Sequence, residues 1–293
     1  MRLDQLLALL LSASRAEARR VLGRGGVSVD GRPVSLTDKG TPLEAGQTLA
    51  VEAFTPEKEQ RPVPEAEAPL DVVAEGDGWL AVNKPAGTPV HPLSEHETGA
   101  LLNAVCARHP EIVGVGEGGL RCGVVHRLDV DTSGVMLFAT DEDRWHQLRT
   151  AFRRHRVAKT YQALVHGPLE GEGDLALHLS VAAHRPARVR VVSEGDAAFE
   201  KRSRHTRMHW RALAHGPDAS LIEVKPKTGF LHQIRASLAH LGHPVVGDLA
   251  YGAPETEDVK RHLLHAADVA YADVRASAPP PADFAAAVRR LTG

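Results

Sequence analysis

Apolar positions along this chain run at helical spacing at first, alternate from residue 27, lose all period near residue 55 and recover it from residue 70 onward. Leu3, Leu6, Leu7, Leu10 and Leu11 recur at i, i+3 and i+4, which predicts a short amphipathic helix. Ser14-Arg15-Ala16-Glu17 has the form of a capping box. It opens a second predicted helix that carries Arg15, Arg19 and Arg20 and ends among Gly23, Gly25 and Gly26. Val27 and Val29 alternate into Asp30-Gly31, a two-residue hairpin signal, and residues 48–51 supply another strand. Residues 55–70 are rich in Pro and Glu and have no apolar period, as a linker does. The expected organisation is a small α/β domain at 1–54, a linker at 55–69 and a larger domain at 70–293.

In the larger part, residues 70–74 and 79–82 flank Gly76-Asp77-Gly78 as a hairpin, residues 101–107 read as a helix, and residues 110–120 form a Gly-rich loop. Residues 123–140 then set two apolar runs, Val124-Val125 and 135–139, on either side of a polar knot from His126 to Ser133. Strand, functional turn, strand is the natural reading, with a carboxylate held out by stiff flanks. A helix follows whose first turn is acidic (Asp141, Glu142, Asp143) and whose last turn is basic (Arg149, Arg153, Arg154, His155). Complementing the helix dipole explains that polarity, and the further run into Arg156 and Lys159 makes it a candidate phosphate-facing patch. Residues 157–165 and 221–224 read as strands, and 184–211 as strand-like alternation bearing Arg185, Arg188, Arg190, Lys201, Arg202, Arg204, Arg207 and Arg211. Helices are expected from His232 to about Leu241 and from Asp283 to Leu291.

Bulk properties narrow the chemistry. The 293 residues carry a net charge of -2, so any nucleic-acid surface must come from local clustering of arginine. Two cysteines, Cys106 and Cys122, show neither a disulfide framework nor zinc spacing, and His205 with His209 lacks a third ligand, so no metal is expected and these histidines are taken as structural or RNA-facing. The leucine run at 6–11 is shorter than a signal-peptide core and has Asp4 before it; a cytoplasmic protein without targeting is expected.

Three chemistries compete for the polar knot. Asp129-x-Asp131-x-Ser133-Gly134 matches the start of a calcium loop, but the twelfth position is Thr140 rather than Glu and an apolar strand follows the glycine. An aspartyl-phosphate nucleophile at Asp129 with magnesium would need an apolar strand running straight into the aspartate, and His126-Arg127 interrupts it. The third reading takes His126-Arg127-Leu128-Asp129-x-x-Thr132-Ser133-Gly134 as a unit. It resembles the signature of the RluA-type pseudouridine synthases, which isomerise uridines in RNA.

That resemblance extends through Asn83-Lys84-Pro85-Ala86-Gly87 with His91-Pro92, Lys159-Thr160-Tyr161, His232-Gln233-Ile234-Arg235, Gly247-Asp248 with Tyr251-Gly252, and Leu264-His265-Ala266. The matching motifs span 79–284. Phe230, Leu231 and Ser237 depart from the family pattern, which commonly has Arg-Thr and His there. Residues 1–52 resemble the small RNA-binding module named after ribosomal protein S-four, through Arg2-Leu3-Asp4, Ser14-Arg15, Gly26-Val27-x-Val29-Asp30-Gly31 and Gly46.

The resemblance implies an α+β fold: a mixed, mostly antiparallel sheet in the catalytic domain, preceded by the small α/β domain. It implies Asp129 as the catalytic carboxylate, Arg235 as its partner and Tyr161 beside the target base. Arg127, His126, Lys159, His232 and Gln233 are expected at the substrate, although Arg127 reads equally well as a salt bridge to Asp131. Arg15, Arg19, Arg20, Arg153 and Arg154 are expected to meet RNA phosphates or to be the solvated faces of helices. Isomerisation involves no net redox or hydrolysis, so no cofactor is expected, and the partner is RNA, ribosomal RNA before transfer RNA. A non-catalytic RNA-binding protein and the magnesium phosphotransferase are the rival readings.

Overall fold

The structure is a computed structural model; it describes residues 1–52, 54–184 and 186–293, with all their side chains except Glu200 and Lys201. Arg185 and the Lys201 side chain, expected in a basic surface, therefore lie outside the described residues. The chain divides into two compact units, Met1–Arg61 with Gly118–Leu120, and Pro62–Glu117 with Arg121–Gly293.

The first unit holds α1 (Leu3–Leu10), α2 (Arg15–Arg24), β1 (Val27–Val29), β2 (Arg32–Pro33) and β3 (Leu49–Val51), with strand order β2-β1-β3. Leu3, Leu7, Leu22 and Val27 form its core, as the leucine period requires. Ser14 caps α2 by accepting the Glu17 N–H at 3.2 Å, but the reciprocal half of the capping box is absent. Glu17 instead accepts the N–H of Glu57 at 2.6 Å. Asp30 and Gly31 both take positive φ, 51° and 76°, which is the mirror-image turn that lets Val29 pair with Arg32.

The second unit contains β4 (Val72–Gly76), β5 (Trp79–Lys84), α3 (Leu101–Arg108), β6 (Ser133–Ala139), α4 (Glu142–Arg153), β7 (Ala158–His166), β8 (Glu172–His184) and β9 (Ala187–Val192). Then follow α5 (Ala197–Arg202), β10 (Ser203–His215), β11 (Ala219–Pro226), α6 (Gln233–His240), β12 (Leu264–Tyr271), β13 (Val274–Ser277) and α7 (Ala282–Thr292). One sheet runs β4-β5-β6-β12-β7-β11-β10-β8-β9, with β13 on β12. Every pairing is antiparallel except β6 with β12, so the fold is the expected α+β class with a mixed, mostly antiparallel sheet. Two expectations differ. Val124-Val125 is not a strand but a loop touching the sheet through a single bridge, Val124 to Phe138. The stretch 184–211 is broken by α5, whose Asp196 cap accepts the Ala198 N–H at 2.8 Å.

β6 is the buried spine of this unit. Val135, Leu137 and Ala139 pack with Leu148 and Ala151 of α4, while Met136 and Phe138 pack with Leu102 and Val105 of α3. Burial on both faces explains why the sequence there is continuously apolar instead of alternating. Gly134 has φ 113°, and a Cβ there would lie 2.1 Å from the Ala266 carbonyl oxygen, so the close parallel contact of β6 with β12 requires glycine. His126 anchors the strand from the side. Its Nε2 accepts the Leu137 N–H at 2.9 Å and its ring stacks on Phe152 with centroids 4.4 Å apart. Burial first, then the charges of Lys159 and Arg149, push its pKa down to about 3, so it is neutral and carries its proton on Nδ1.

Gly134→Ala should cost more than about 3 kcal/mol, because neither the backbone conformation nor the facing carbonyl can yield. Urea unfolding followed by tryptophan emission reads this directly, since Trp79, Trp145 and Trp210 all lie in the second unit. His126 supplies a pH test. Because its folded pKa is depressed, the unfolded chain binds a proton that the native ring refuses. The stabilisation is complete above about pH 6.5 and is lost as pH falls toward 3. Replacing His126 with Gln, which still accepts the Leu137 N–H, should flatten the loss of stability between pH 6 and 5 by roughly 1 kcal/mol; an unchanged slope would refute the assignment.

Candidate active site

Asp129 lies in the irregular segment between Val125 and β6, yet almost every neighbour in that segment is tied down. The Val130 carbonyl accepts the Gly87 N–H at 3.0 Å and the Lys84 ammonium at 2.7 Å. Lys84 is wholly buried and also donates to the carbonyls of Pro85 and Thr88, at 2.8 and 2.9 Å, so one cation joins the 85–88 turn to the aspartate loop. Burial lowers its pKa to about 8 against the opposing fields of Asp131 and Asp129. The Asp131 carbonyl accepts Arg261 Nη1 at 3.1 Å, while Arg261 grips Asp283 with Nε and Nη2 at 2.8 and 3.1 Å. Thr132 Oγ1 meets His262 Nε2 at 2.9 Å and Ser133 Oγ meets His265 Nδ1 at 3.0 Å. Since His265 Nε2 faces the Ala278 carbonyl at 3.0 Å, the proton sits on Nε2 and Ser133 donates to Nδ1.

The carboxylate itself meets a guanidinium. Arg235, in the first turn of α6, donates from Nη1 to Asp129 Oδ2 at 3.0 Å and holds Asp248 with Nε and Nη2 at 2.6 and 2.8 Å. Asp248 is buried, Arg235 is 9 % exposed and Asp129 25 %, so the pair opens only at the aspartate. Burial would lower the Arg235 pKa, but Asp248 and then Asp129 outweigh it and keep the cation charged. The face of Tyr251 lies 5.1 Å from that guanidinium. Its hydroxyl accepts the Val189 N–H at 3.0 Å and bonds His232 Nδ1 at 2.9 Å, and His232 Nε2 stands 3.8 Å from Asp129. His232 adopts a left-handed φ of 49°, the bend that starts α6. Burial lowers its pKa against the raising effect of Asp129.

Tyr161, on β7 opposite Ala266 and Val224, feels the same carboxylate: burial first and then Asp129 raise its pKa, so it stays a phenol at neutral pH. Among the described residues none hydrogen-bonds its hydroxyl. Lys159, two positions earlier on β7, donates to the Thr228 carbonyl at 3.1 Å and has its pKa lowered by burial to about 8. The structure thus brings Asp129, Arg235, His232 and Tyr161 together, with Lys159 two residues before Tyr161 on β7.

Other expectations fare differently. Arg127 is exposed and does not pair with Asp131; among the described residues it has no ion-pair partner. His126, expected at the substrate, is engaged inside the protein by Leu137 and Phe152, as described above. Gln233 is 5 % exposed, its oxygen accepts Thr228 Oγ1 and the Phe230 N–H, and its nitrogen donates one N–H to the Arg207 carbonyl. It closes the turn into α6. Arg153 and Arg154 are exposed without partners among the described residues. In the first unit, Arg15 and Arg19 converge on buried Asp4, with Nη2 to Oδ2 distances of 3.3 and 2.8 Å, and Arg20 pairs with Glu57 at 2.5 Å. Burial raises the Asp4 pKa, but the bonds from Arg19 and Arg15 prevail and hold it below the usual carboxylate value.

Sequence reasoning missed the parts that hold the site. Asp248, Tyr251 and His265 stood only as landmarks, and Arg261 and His262 drew no attention. A signal existed for Asp248 in the neighbouring Gly247, whose φ of 80° and close approach to the Arg261 carbonyl mark a fixed turn.

Comparison with known proteins gives the family. A family profile described as RNA pseudouridylate synthase matches residues 78–240, and one described as the S4 domain matches residues 1–49. An uncharacterized RNA pseudouridine synthase of Chloroflexus aurantiacus is 36% identical over 307 aligned residues, covering 99% of this chain and 90% of the relative. Ribosomal large subunit pseudouridine synthase D of Nitrosomonas europaea is 34% identical over 275, covering 91% and 75%. The solved structure of human RNA pseudouridylate synthase domain containing 1 superimposes with a TM-score of 0.59 at 26% identity, over 74% of this chain and 86% of that one. With the profile spanning more than half of its length, and relatives aligned along nearly all of it, this chain belongs to the RluA-type RNA pseudouridine synthases, isomerases of RNA, and carries an S4 domain over its first 49 residues.

Proposed function

We propose that this enzyme converts uridine to pseudouridine at defined positions of large-subunit ribosomal RNA, with Asp129 as the carboxylate that acts at the sugar. The single observation that carries the assignment is the 3.0 Å contact of Asp129 with an Arg235 already fixed by Asp248. The reaction breaks the bond from C1′ to N1, turns the base and joins C5 to C1′. An ionised, oriented carboxylate is what such a step needs, either to attack covalently or to stabilise positive charge developing on the sugar. A guanidinium as the partner of Asp129 favours this over phosphotransfer, in which magnesium would take that position. Large-subunit RNA is favoured because relatives that align along most of this chain bear that substrate in their names.

The remaining roles follow from what each side chain has free. The target nucleotide must leave its stack at a cost of a few kcal/mol, and exposed, unpaired Arg127 is available to fill the gap. Tyr161 is placed to stack on the extruded uracil, and as a phenol it serves as a hydrogen-bond donor rather than a base. His232, beside Asp129, and Lys159 flank the same space. We assign residues 1–54 to RNA docking, with 55–69 as a tether to the catalytic domain at 70–293. Arg15 and Arg19, set in place by Asp4 but still 50% and 41% exposed, would meet phosphates there, with Arg153 and Arg154 doing so on the catalytic domain.

The test is position-resolved pseudouridine mapping of total RNA from cells lacking the protein, rescued with wild type or Asp129→Asn. Discrete uridines in large-subunit RNA should lose their modification and regain it only with wild type. Rescue by the Asn variant would sink the role of Asp129; loss confined to transfer RNA would overturn the substrate.

A further inference from the structure

We propose that a groove at the end of α6 remote from Asp129 binds an unpaired nucleobase of the RNA strand that flanks the target uridine. The inference rests on the RNA substrate of the proposed function. The groove has a volume of about 460 Å³ and is lined by Leu177, His178, Val191, Val192, Phe199 and His240. Its origin is topological. β9 ends at Val192, paired with His178, so among the described residues Ala176 and Leu177 of β8 pair with β10 on one side and with no strand on the other, and residues of α5 and α6 line the opening.

The rings in this wall form a set. His178 lies 4.5 Å from Phe199 and 5.0 Å from His205, tilted by 40° and 39°. Ser203 donates its hydroxyl to the Phe199 carbonyl, so it can only accept from His178 Nδ1, 3.3 Å away. With Nδ1 donating to Ser203, Nε2 of His178 has no partner among the described residues and can accept from a base N–H. Aromatic and imidazole faces beside a hydrogen-bond acceptor are what a splayed-out base requires. Around the groove, Arg202, Arg204 and Arg207 are exposed and, among the described residues, have no acidic partner. Rings for bases with unpaired cations for phosphates make the pattern of single-strand recognition.

Position links the groove to catalysis. The first turn of α6 holds Arg235 and the last holds His240, five residues or about 7.5 Å along the helix axis.

The test uses the full-length protein and two fluorescein-labelled probes, a single-stranded uridine decamer and an abasic decamer with the same phosphates. Phe199→Leu, which keeps bulk but loses the ring, and His240→Ala, at an exposed position, should each weaken decamer binding about fivefold or more. Both should leave the abasic probe within twofold of wild type, and tryptophan emission confirms folding. The proposal is overturned if wild type does not prefer the decamer to the abasic strand, if the variants bind the decamer as wild type does, or if both probes weaken equally. Asp129→Asn protein should give the same binding pattern as wild type, so failure of the isomerase reading and failure of the groove are told apart.

Discussion

Everything around Asp129 depends on one buried cation shared by two aspartates. Arg235 spends two nitrogens on Asp248, out of contact with water, and one on Asp129, which is open to it. A guanidinium removed from water is costly unless its partners are well aligned, and the bidentate bond to Asp248 supplies that alignment. The third bond then reaches Asp129 from a donor that cannot rotate away. Under the role proposed for Asp129, rigidity is supplied to the reacting carboxylate by a buried neighbour.

The aspartate loop is held by the same principle on its other side. Val130, Asp131, Thr132 and Ser133 are fastened in turn by Lys84 at the end of β5, by Arg261 and His262 in the loop before β12, and by His265 in β12. Asp129 is partly exposed on this frame, and the side chains of Arg127 and Val130 are exposed. β6 and β12 make the single parallel pairing in the sheet, and it brings Ser133 level with His265. Glycine at 134 is therefore tied to function as well as to packing, since without that close approach the Ser133–His265 bond would not form.

The sequence revealed the pieces whose signals are local. The leucine period gave α1, Asp30-Gly31 gave its turn, and the nine residues from His126 to Gly134 pointed to Asp129. Arg235 was legible through its motif. Arg261 and His262 were not, because they act on residues 130 positions away and nothing nearby announces it. His126 and Gln233 have a structural task that their motifs do not announce. The backbone donors at Leu137 and Phe230 require acceptors, and these side chains provide them. The helix α5 was missed although Asp196 before Ala197-Ala198 is an ordinary start signal; the surrounding arginines at alternate positions suggested strand instead.

The measurement that bears most directly on this account is the single-turnover rate of Asp248→Asn on ribosomal RNA from cells lacking the protein. Asp248 is buried and makes its side-chain bonds to Arg235, so its direct route to Asp129 is through that guanidinium. The account predicts a fall of about 100-fold in rate with RNA affinity within twofold of wild type, as expected when a reacting group loses its alignment. A folded Asp248→Asn protein that turns over at the wild-type rate would contradict it.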